Sequence, residues 1–278
     1  MSKQPGQFRF LKSRHVAEVT VLHAAMDDFH YDRHAHEEYA FGVTLAGRQD
    51  FFSGGQFHRS TPGNVVQLNP EEVHDGHSGG DSTLGYVMVY VPPAQLEALF
   101  ANAAGREDAG HFRSADTLIQ DHALRAAILE LARLVTHQVG SRIDQEHALY
   151  RIATRLVQRE GAFQSNAASI SRPDALLRRA KDYIFAHLEE DVSLDDLSQA
   201  AHLSKYHFLR LFRQQFTMTP HQYVLNCRIN AARHALDNGA LPNEVAFRYG
   251  FADLSHFNRR FKRIYGMTPH QYQRNVTN

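Results

Sequence analysis

The hexapeptide Met-Thr-Pro-His-Gln-Tyr occurs twice in the chain, at residues 218–223 and 267–272. Six identical consecutive residues do not recur by chance, and the agreement continues upstream. His207, Phe208, Arg210, Phe212 and Phe216 find counterparts 49 residues later at His256, Phe257, Arg259, Phe261 and Tyr265. In each copy a short helical segment and a tight turn lead into a longer, Arg-rich helical segment. The turns are His202-Leu203-Ser204 and Gly250-Phe251-Ala252-Asp253. That order is a helix-turn-helix, so the repeat constrains the last third of the chain to two such units.

Apolar spacing predicts helices over 174–188, 194–201, 205–216, 220–237, 242–249, 254–265 and 269–274. Their starts are explicit. Ser193 with Asp196, and Thr219 with Gln222, have capping-box spacing, and Pro220, Pro242 and Pro269 stand at first helical positions. Gly250 and Gly266 follow helices where a left-handed stop is wanted.

The longer helix of each unit has two unlike sides. Phe208, Leu211, Phe212 and Phe216, and in the second copy Phe257, Phe261 and Tyr265, form an apolar side that reads as core. The other side carries Lys205, Tyr206, Arg210, Arg213 and Gln214, then Ser255, His256, Asn258, Arg259, Lys262 and Arg263. Neither face contains an Asp or Glu, whereas a merely solvated face would mix in acid. Such a face offers both phosphate neutralisation and hydrogen bonds to base edges. The 18-residue segment between the units would be about 27 Å long as a helix, against about 34 Å between successive major-groove faces. One chain can thus reach two consecutive groove segments.

The first half has a different texture. Short β-prone runs at 39–45, 49–53, 64–68 and 84–91 alternate with turn residues at Ala46-Gly47, Gly54-Gly55, Thr61-Pro62-Gly63, Asn69-Pro70 and Ser78-Gly79-Gly80. This pattern predicts a sandwich or small barrel. Helical spacing returns at 93–103, 118–139 and 145–160, the last two forming a hairpin around Val139-Gly140-Ser141. The stripes Leu124, Ile128, Leu131, Val135 and Leu149, Ile152, Leu156 either pack on the barrel or meet a second copy in a homodimer. Residues 161–173, rich in Ser, Ala and Asn, read as a linker. The expected fold is α+β in two domains. A β-barrel spans 1–112, with a helical hairpin at 113–160, and an all-α double helix-turn-helix domain spans 174–278.

Charge follows this division. Lys and Arg balance Asp and Glu at 30 each, but from residue 171 onward 15 basic residues face 10 acidic ones, leaving 15 against 20 before it. A basic back half on an acidic front fits a nucleic-acid-binding module fused to another function. The single cysteine, Cys227, excludes an internal disulfide and suits a reducing cytoplasm; it reads as a small buried residue. No stretch approaches the roughly 18 apolar residues of a membrane span, and no apolar run follows the polar start Met1-Ser2-Lys3-Gln4.

At strand period two, His34, His36 and Glu38 share one face while Glu37 points away. With His74 they make a nitrogen-rich set suited to a divalent metal, zinc or similar. The alternative is that these groups and Tyr39 hydrogen-bond an organic effector or one another. No nucleophile–base set, phosphate-cradling glycine loop or Cys/His zinc spacing points to an enzyme.

The runs Ser193-Leu-Asp-Asp-Leu, Ser204-Lys-Tyr-His-Phe-Leu-Arg-Leu-Phe-Arg, Ala246-Phe-Arg-Tyr-Gly-Phe-Ala-Asp-Leu-Ser-His-Phe-Asn-Arg-Arg-Phe-Lys and Gly266-Met-Thr-Pro-His-Gln-Tyr resemble the DNA-binding domain of the AraC/XylS family of transcriptional regulators over about 174–275. The resemblance implies that Tyr206, Leu209 and Arg210, then Leu254, Ser255, His256 and Arg259, read bases. Arg213, Lys262 and Arg263 are better suited to phosphates. Leu209 and Leu254 either touch thymine methyls or pack. His34-Ala-His36-Glu-Glu38-Tyr39 and Asn69-Pro-Glu-Glu-Val-His74 resemble the cupin-type sensor barrel of such regulators. Metal cupins leave three or four residues between the second His and their carboxylate, which in this chain brings that position to Ala40 or Phe41. The resemblance implies a cytoplasmic homodimer that binds operator DNA and a small-molecule effector and works with RNA polymerase. It also implies that the first 28 residues are an arm over the barrel mouth. A barrel serving only as a dimer scaffold, or as a metalloenzyme, is the alternative.

Overall fold

In the computed structural model, which describes residues 6–105, 111–160, 162–164 and 172–276, the chain divides into two compact units. One comprises Met1–Tyr31 and Ala35–Ala168, the other Ser169–Asn278 together with Asp32–His34. Those last three residues end a strand hydrogen-bonded into the first unit and are described with it.

The first unit begins with β1 (Gln7–Lys12), β2 (Thr20–Met26), β3 (His30–His34), β4 (Tyr39–Ala46), β5 (Gln49–Ser53), β6 (Gln56–Ser60), β7 (Val65–Leu68), β8 (His74–Ser78) and β9 (Leu84–Val91). After α1 (Pro93–Ala103) come β10 (His111–Arg113), β11 (Leu118–Ile119), α2 (His122–His137), α3 (Arg142–Glu160) and β12 (Ala162–Gln164). A six-stranded sheet has the order β1-β2-β9-β4-β7-β11, a four-stranded sheet the order β3-β8-β5-β6, and β10 pairs with β12. The β5–β6 hairpin closes on Gly54 and Gly55, both at positive φ, where a residue with a Cβ would be strained.

Period two gives the large sheet two unlike faces. Val21, Tyr39, Phe41, Val43, Val65, Val87, Val89 and Val91 pack into one core with the helices α1, α2 and α3. The intervening residues, among them Gly42, Thr44, Tyr86, Met88 and Tyr90, look toward the small sheet. Thr44 Oγ1 meets Ser60 Oγ at 2.7 Å, and the Tyr31 and Tyr86 hydroxyls meet at 2.8 Å. These contacts close the two sheets into a barrel.

Three expectations change here. Residues 7–26 are not a loose arm, because β1 pairs with β2 and β2 with β9 inside the large sheet. The hairpin stripes Leu124, Ile128, Leu131, Val135, Leu149, Ile152 and Leu156 are all buried in the unit's own core and are not the face offered to a second copy. Of the linker, 162–164 form a strand and α4 already begins at Arg172; the rest lies outside the described residues.

The second unit consists of α4 (Arg172–Ala186), α5 (Leu194–Ala200), α6 (Lys205–Phe216), α7 (Pro220–Asp237), α8 (Pro242–Arg248), α9 (Leu254–Tyr265) and α10 (Pro269–Val276). Both expected capping boxes form, at Ser193 with Asp196 and at Thr219 with Gln222. The repeat is visible in three dimensions as two aromatic clusters. Phe208, Phe212, Phe216 and Tyr223 form one, and Phe257, Phe261, Tyr265 and Tyr272 the other, with neighbouring ring centroids 4.5–5.8 Å apart. Where Phe216 becomes Tyr265, the added hydroxyl donates to Asn230 Oδ1 on α7 at 3.0 Å. No helix among the described residues is long and apolar enough to cross a membrane.

Candidate functional site

In the second unit α6 and α9 are the second helices of their helix-turn-helix units. Each has a polar N-cap: Ser204 Oγ accepts from the His207 amide, and Asp253 Oδ1 from the His256 amide at 2.6 Å. The aromatic side chains Phe208, Phe212, Phe257 and Phe261 are fully buried and fix each helix by one side. The opposite sides are left to solvent. Tyr206, Arg210 and Arg213 are exposed on α6, and Leu254, Ser255, Arg259, Lys262 and Arg263 on α9. Leu209 and His256 are half-buried. Burial, with Arg260 and Arg259 nearby, holds the His256 ring below the ordinary histidine pKa.

The connector α7 has the 18 residues read from the sequence. A feature the sequence reading missed ties the two helix-turn-helix elements of this unit together. Arg228 on α7 donates from Nε to the Leu188 carbonyl at 3.0 Å and from an Nη to the Glu190 carbonyl. Arg248 at the end of α8 pairs with Glu189 at 2.5 Å. The loop after α4 is therefore held by both the connector and the second helix-turn-helix. A cleft of about 350 Å³ lies between the two helix-turn-helix elements, lined by Leu197, Leu209, Val224, Arg228, Phe251 and His256 among others. Only a periodicity-breaking arginine on α7 hinted at this brace.

In the first unit His34, His36 and His74 are buried and come together. Each offers one nitrogen, and the three nitrogens lie within 4.8 Å of one another. His34 is the last residue of β3 and His74 the first of β8, neighbouring strands of the small sheet. His34 Nδ1 donates to the Asp32 carbonyl at 2.7 Å and His74 Nδ1 to the Glu72 carbonyl at 2.8 Å. A carbonyl only accepts, so these bonds put the proton of each neutral ring on Nδ1 and leave Nε2 as the electron-pair atom. Burial pushes the His74 pKa down, against the raising pull of Glu72 and Asp75. The His36 ring stands edge-on to Tyr90 at 5.0 Å and 5.1 Å from that of His74, which puts it on the barrel's inner side.

Two residues of the expected set fall elsewhere. Strand alternation stops after His34, the chain bends at Glu37 and Glu38, and β4 restarts at Tyr39. Glu38 is buried but is not one of the residues whose ligand atoms converge. Tyr39 lies on the helix side of the large sheet, stacked on Phe41 and donating its hydroxyl to the Phe112 carbonyl at 2.5 Å. Burial pushes its pKa up to about 12. It is a core residue with a satisfied hydroxyl, not a wall of the barrel interior.

The AraC-like ligand binding domain family matches residues 16–153, and a helix-turn-helix domain family matches residues 197–275. The uncharacterized HTH-type transcriptional regulator YbfI of Bacillus subtilis is 29% identical over 225 residues, covering 81% of this chain and 80% of that protein. The HTH-type transcriptional activator RhaS of Escherichia coli is 24% identical, covering 80% of each. Among solved structures, apo ToxT of Vibrio cholerae has the same fold at a TM-score of 0.62 and 11% identity, covering 98% of this chain and 97% of that one. With the sensor-type barrel and the doubled helix-turn-helix each matched in their own half of the chain, and with curated relatives aligned across both, the protein belongs to the AraC/XylS family of transcriptional regulators.

Proposed function

We propose that one chain of this regulator grips operator DNA through both recognition helices, and that a ligand held inside the barrel sets how tightly it does so. The observation that carries the DNA half is a pair of equivalent faces. Arg210 and Arg259 are exposed at equivalent stations of α6 and α9, and neither helix contains a carboxylate. Tyr206, Leu209 and Arg210, with Leu254, Ser255, His256 and Arg259, meet base edges; Arg213, Lys262 and Arg263 neutralise phosphates. Leu254, 41% exposed at the first position of α9, suits a thymine methyl better than a packing role.

The ligand half is supported by the polar groups turned into the barrel, namely the three imidazoles and the Tyr31–Tyr86 hydroxyl pair. Solved ToxT structures include one with an unsaturated fatty acid bound. Control of this kind needs only a ligand with different affinities for a DNA-competent and an incompetent state. Relatives named as activators, RhaS and the XylDLEGF operon activator of Pseudomonas putida, support RNA polymerase as a further partner. The outer side of the hairpin, where Ile143 and Tyr150 are exposed one heptad apart, supports a homodimer in place of the buried stripes. The protein acts by binding in the cytoplasm and turns over no substrate.

Mobility-shift titrations at fixed salt test the DNA half. Arg259→Ala is expected to cost about 1–3 kcal/mol on the preferred site and to narrow the gap to other sequences, whereas Lys262→Ala weakens all sequences alike. Unchanged discrimination by Arg259→Ala would overturn its assignment to a base.

A further inference from the structure

Ligand atoms at about 2.0–2.1 Å from a tetrahedral centre stand about 3.3 Å apart. The three nitrogens of His34, His36 and His74 already lie within 4.8 Å of one another. Drawing each inward by less than about 1 Å would bring them to bonding distance of one centre. The rings are also prepared for it. Both His34 and His74 spend Nδ1 on a backbone carbonyl within two residues of themselves, which fixes ring orientation and leaves Nε2 as the donor atom. That is the arrangement by which proteins orient and strengthen imidazole ligands. Two of the three come from adjacent strands of one sheet and the third from the four-residue connection between β3 and β4, so the backbone holding them is short and tied down.

We propose that His34, His36 and His74 form a binding site for a divalent transition-metal ion of the zinc, cobalt or nickel class. Imidazole nitrogen selects these ions over calcium and magnesium, which take oxygen ligands. The donor set is three neutral rings, and Glu38 lies outside the converging group. A doubly charged ion in this buried place keeps at least one position open for water or for the oxygen of a small anion. The ion is then either the barrel's ligand or the anchor on which an oxygen-bearing effector seats, and this regulatory role rests on the operator-binding reading above. Ion uptake itself does not.

The test uses the full chain freed of metal by a chelator and titrated with cobalt(II). One equivalent is expected to bind, with visible ligand-field absorption that zinc displaces. Single substitutions His34→Ala, His36→Ala and His74→Ala should each weaken binding by at least about 100-fold, and a control, His58→Ala, should leave it unchanged. Circular dichroism shows whether each variant is folded. X-ray absorption of the loaded wild-type chain needs no variant and should show three imidazole nitrogens at about 2.0–2.1 Å. Absence of stoichiometric uptake by the folded wild type, uptake that survives all three substitutions, or scattering without imidazole would each overturn the site. A chain that takes up no metal yet binds its operator overturns the metal site and leaves the regulator reading standing; metal uptake with no sequence-specific DNA binding does the reverse.

Discussion

Thr217 and Gly266 stand at the same station of the two repeats, and the difference between them has a cost. Both cap their helices in the left-handed region, Thr217 at φ 51° and Gly266 at φ 76°. For a β-branched residue that conformation costs about 1–2 kcal/mol, which glycine avoids. Thr217→Gly is therefore expected to stabilise the second unit by up to about 1 kcal/mol, after allowing for the extra freedom glycine gives the unfolded chain. Urea unfolding of the two proteins checks this, and a destabilisation would mean that the Thr217 side chain contributes packing that outweighs the strain. A second residue-scale prediction concerns pH. Burial, then Arg9 and His137, hold the His23 ring below its ordinary value of 6.5, and the ring bonds to Thr136 Oγ1 at 2.7 Å. Its folded-state pKa being depressed, the stability it contributes is complete above the unfolded value and is lost as pH falls below it. Thermal midpoints should drop between about pH 7 and pH 5.5, and His23→Gln should flatten part of that slope. An identical slope in the variant would remove His23 from the account.

Elements were legible where their ends are written locally. The limits of α6, α7 and α9 follow from Ser204, Thr219 with Pro220, and Asp253, because a cap is a bond within one turn. The strands β5 and β9 were readable for a related reason, β5 lying between glycine turns and β9 between a glycine turn and Pro92-Pro93. β1, β2, β3, β6 and β8 were not. The half-polar run Gln7-Phe8-Arg9-Phe10 alternates as an edge strand should, yet only its pairing with β2 makes it one. The candidate site suffered the same limit. Its three histidines were legible as residue types at a spacing, but the spacing argument extended one strand through Glu38, where the chain bends and changes sheets. Tyr39 entered the expected site through the His-x-His-x-Glu-Tyr resemblance, whereas period two already turns it away from His34 and His36, into the core it occupies. At this scale Asp121 makes a prediction. Its Oδ1 caps α2 through the Ala123 and Leu124 amides while Oδ2 holds Arg155 at 2.8 Å and Arg159 at 3.4 Å on α3. Burial would raise its pKa, but the Leu124 amide and the arginines bring it below the ordinary carboxylate value. Asp121→Ala is expected to destabilise the first unit by about 2–3 kcal/mol, and Asp121→Asn, which keeps the cap, by about 1 kcal/mol less. Equal losses would place the whole effect in the ion pairs.

As a whole molecule the protein joins a barrel that encloses polar groups to a domain that duplicates a groove reader. On the proposed reading, specificity is a product of two faces joined through α7, and Arg228 and Arg248 hold the loop that leads from α4 into the first helix-turn-helix. That geometry is a statement about DNA length. Selecting bound sequences from a random duplex pool with the wild type, Arg210→Ala and Arg259→Ala tests it most directly. Two preferred segments about 10–10.5 base pairs apart are predicted, with each variant relaxing a different one. A single preferred segment, or two variants that relax the same positions, would contradict the claim that one chain reads two successive groove faces.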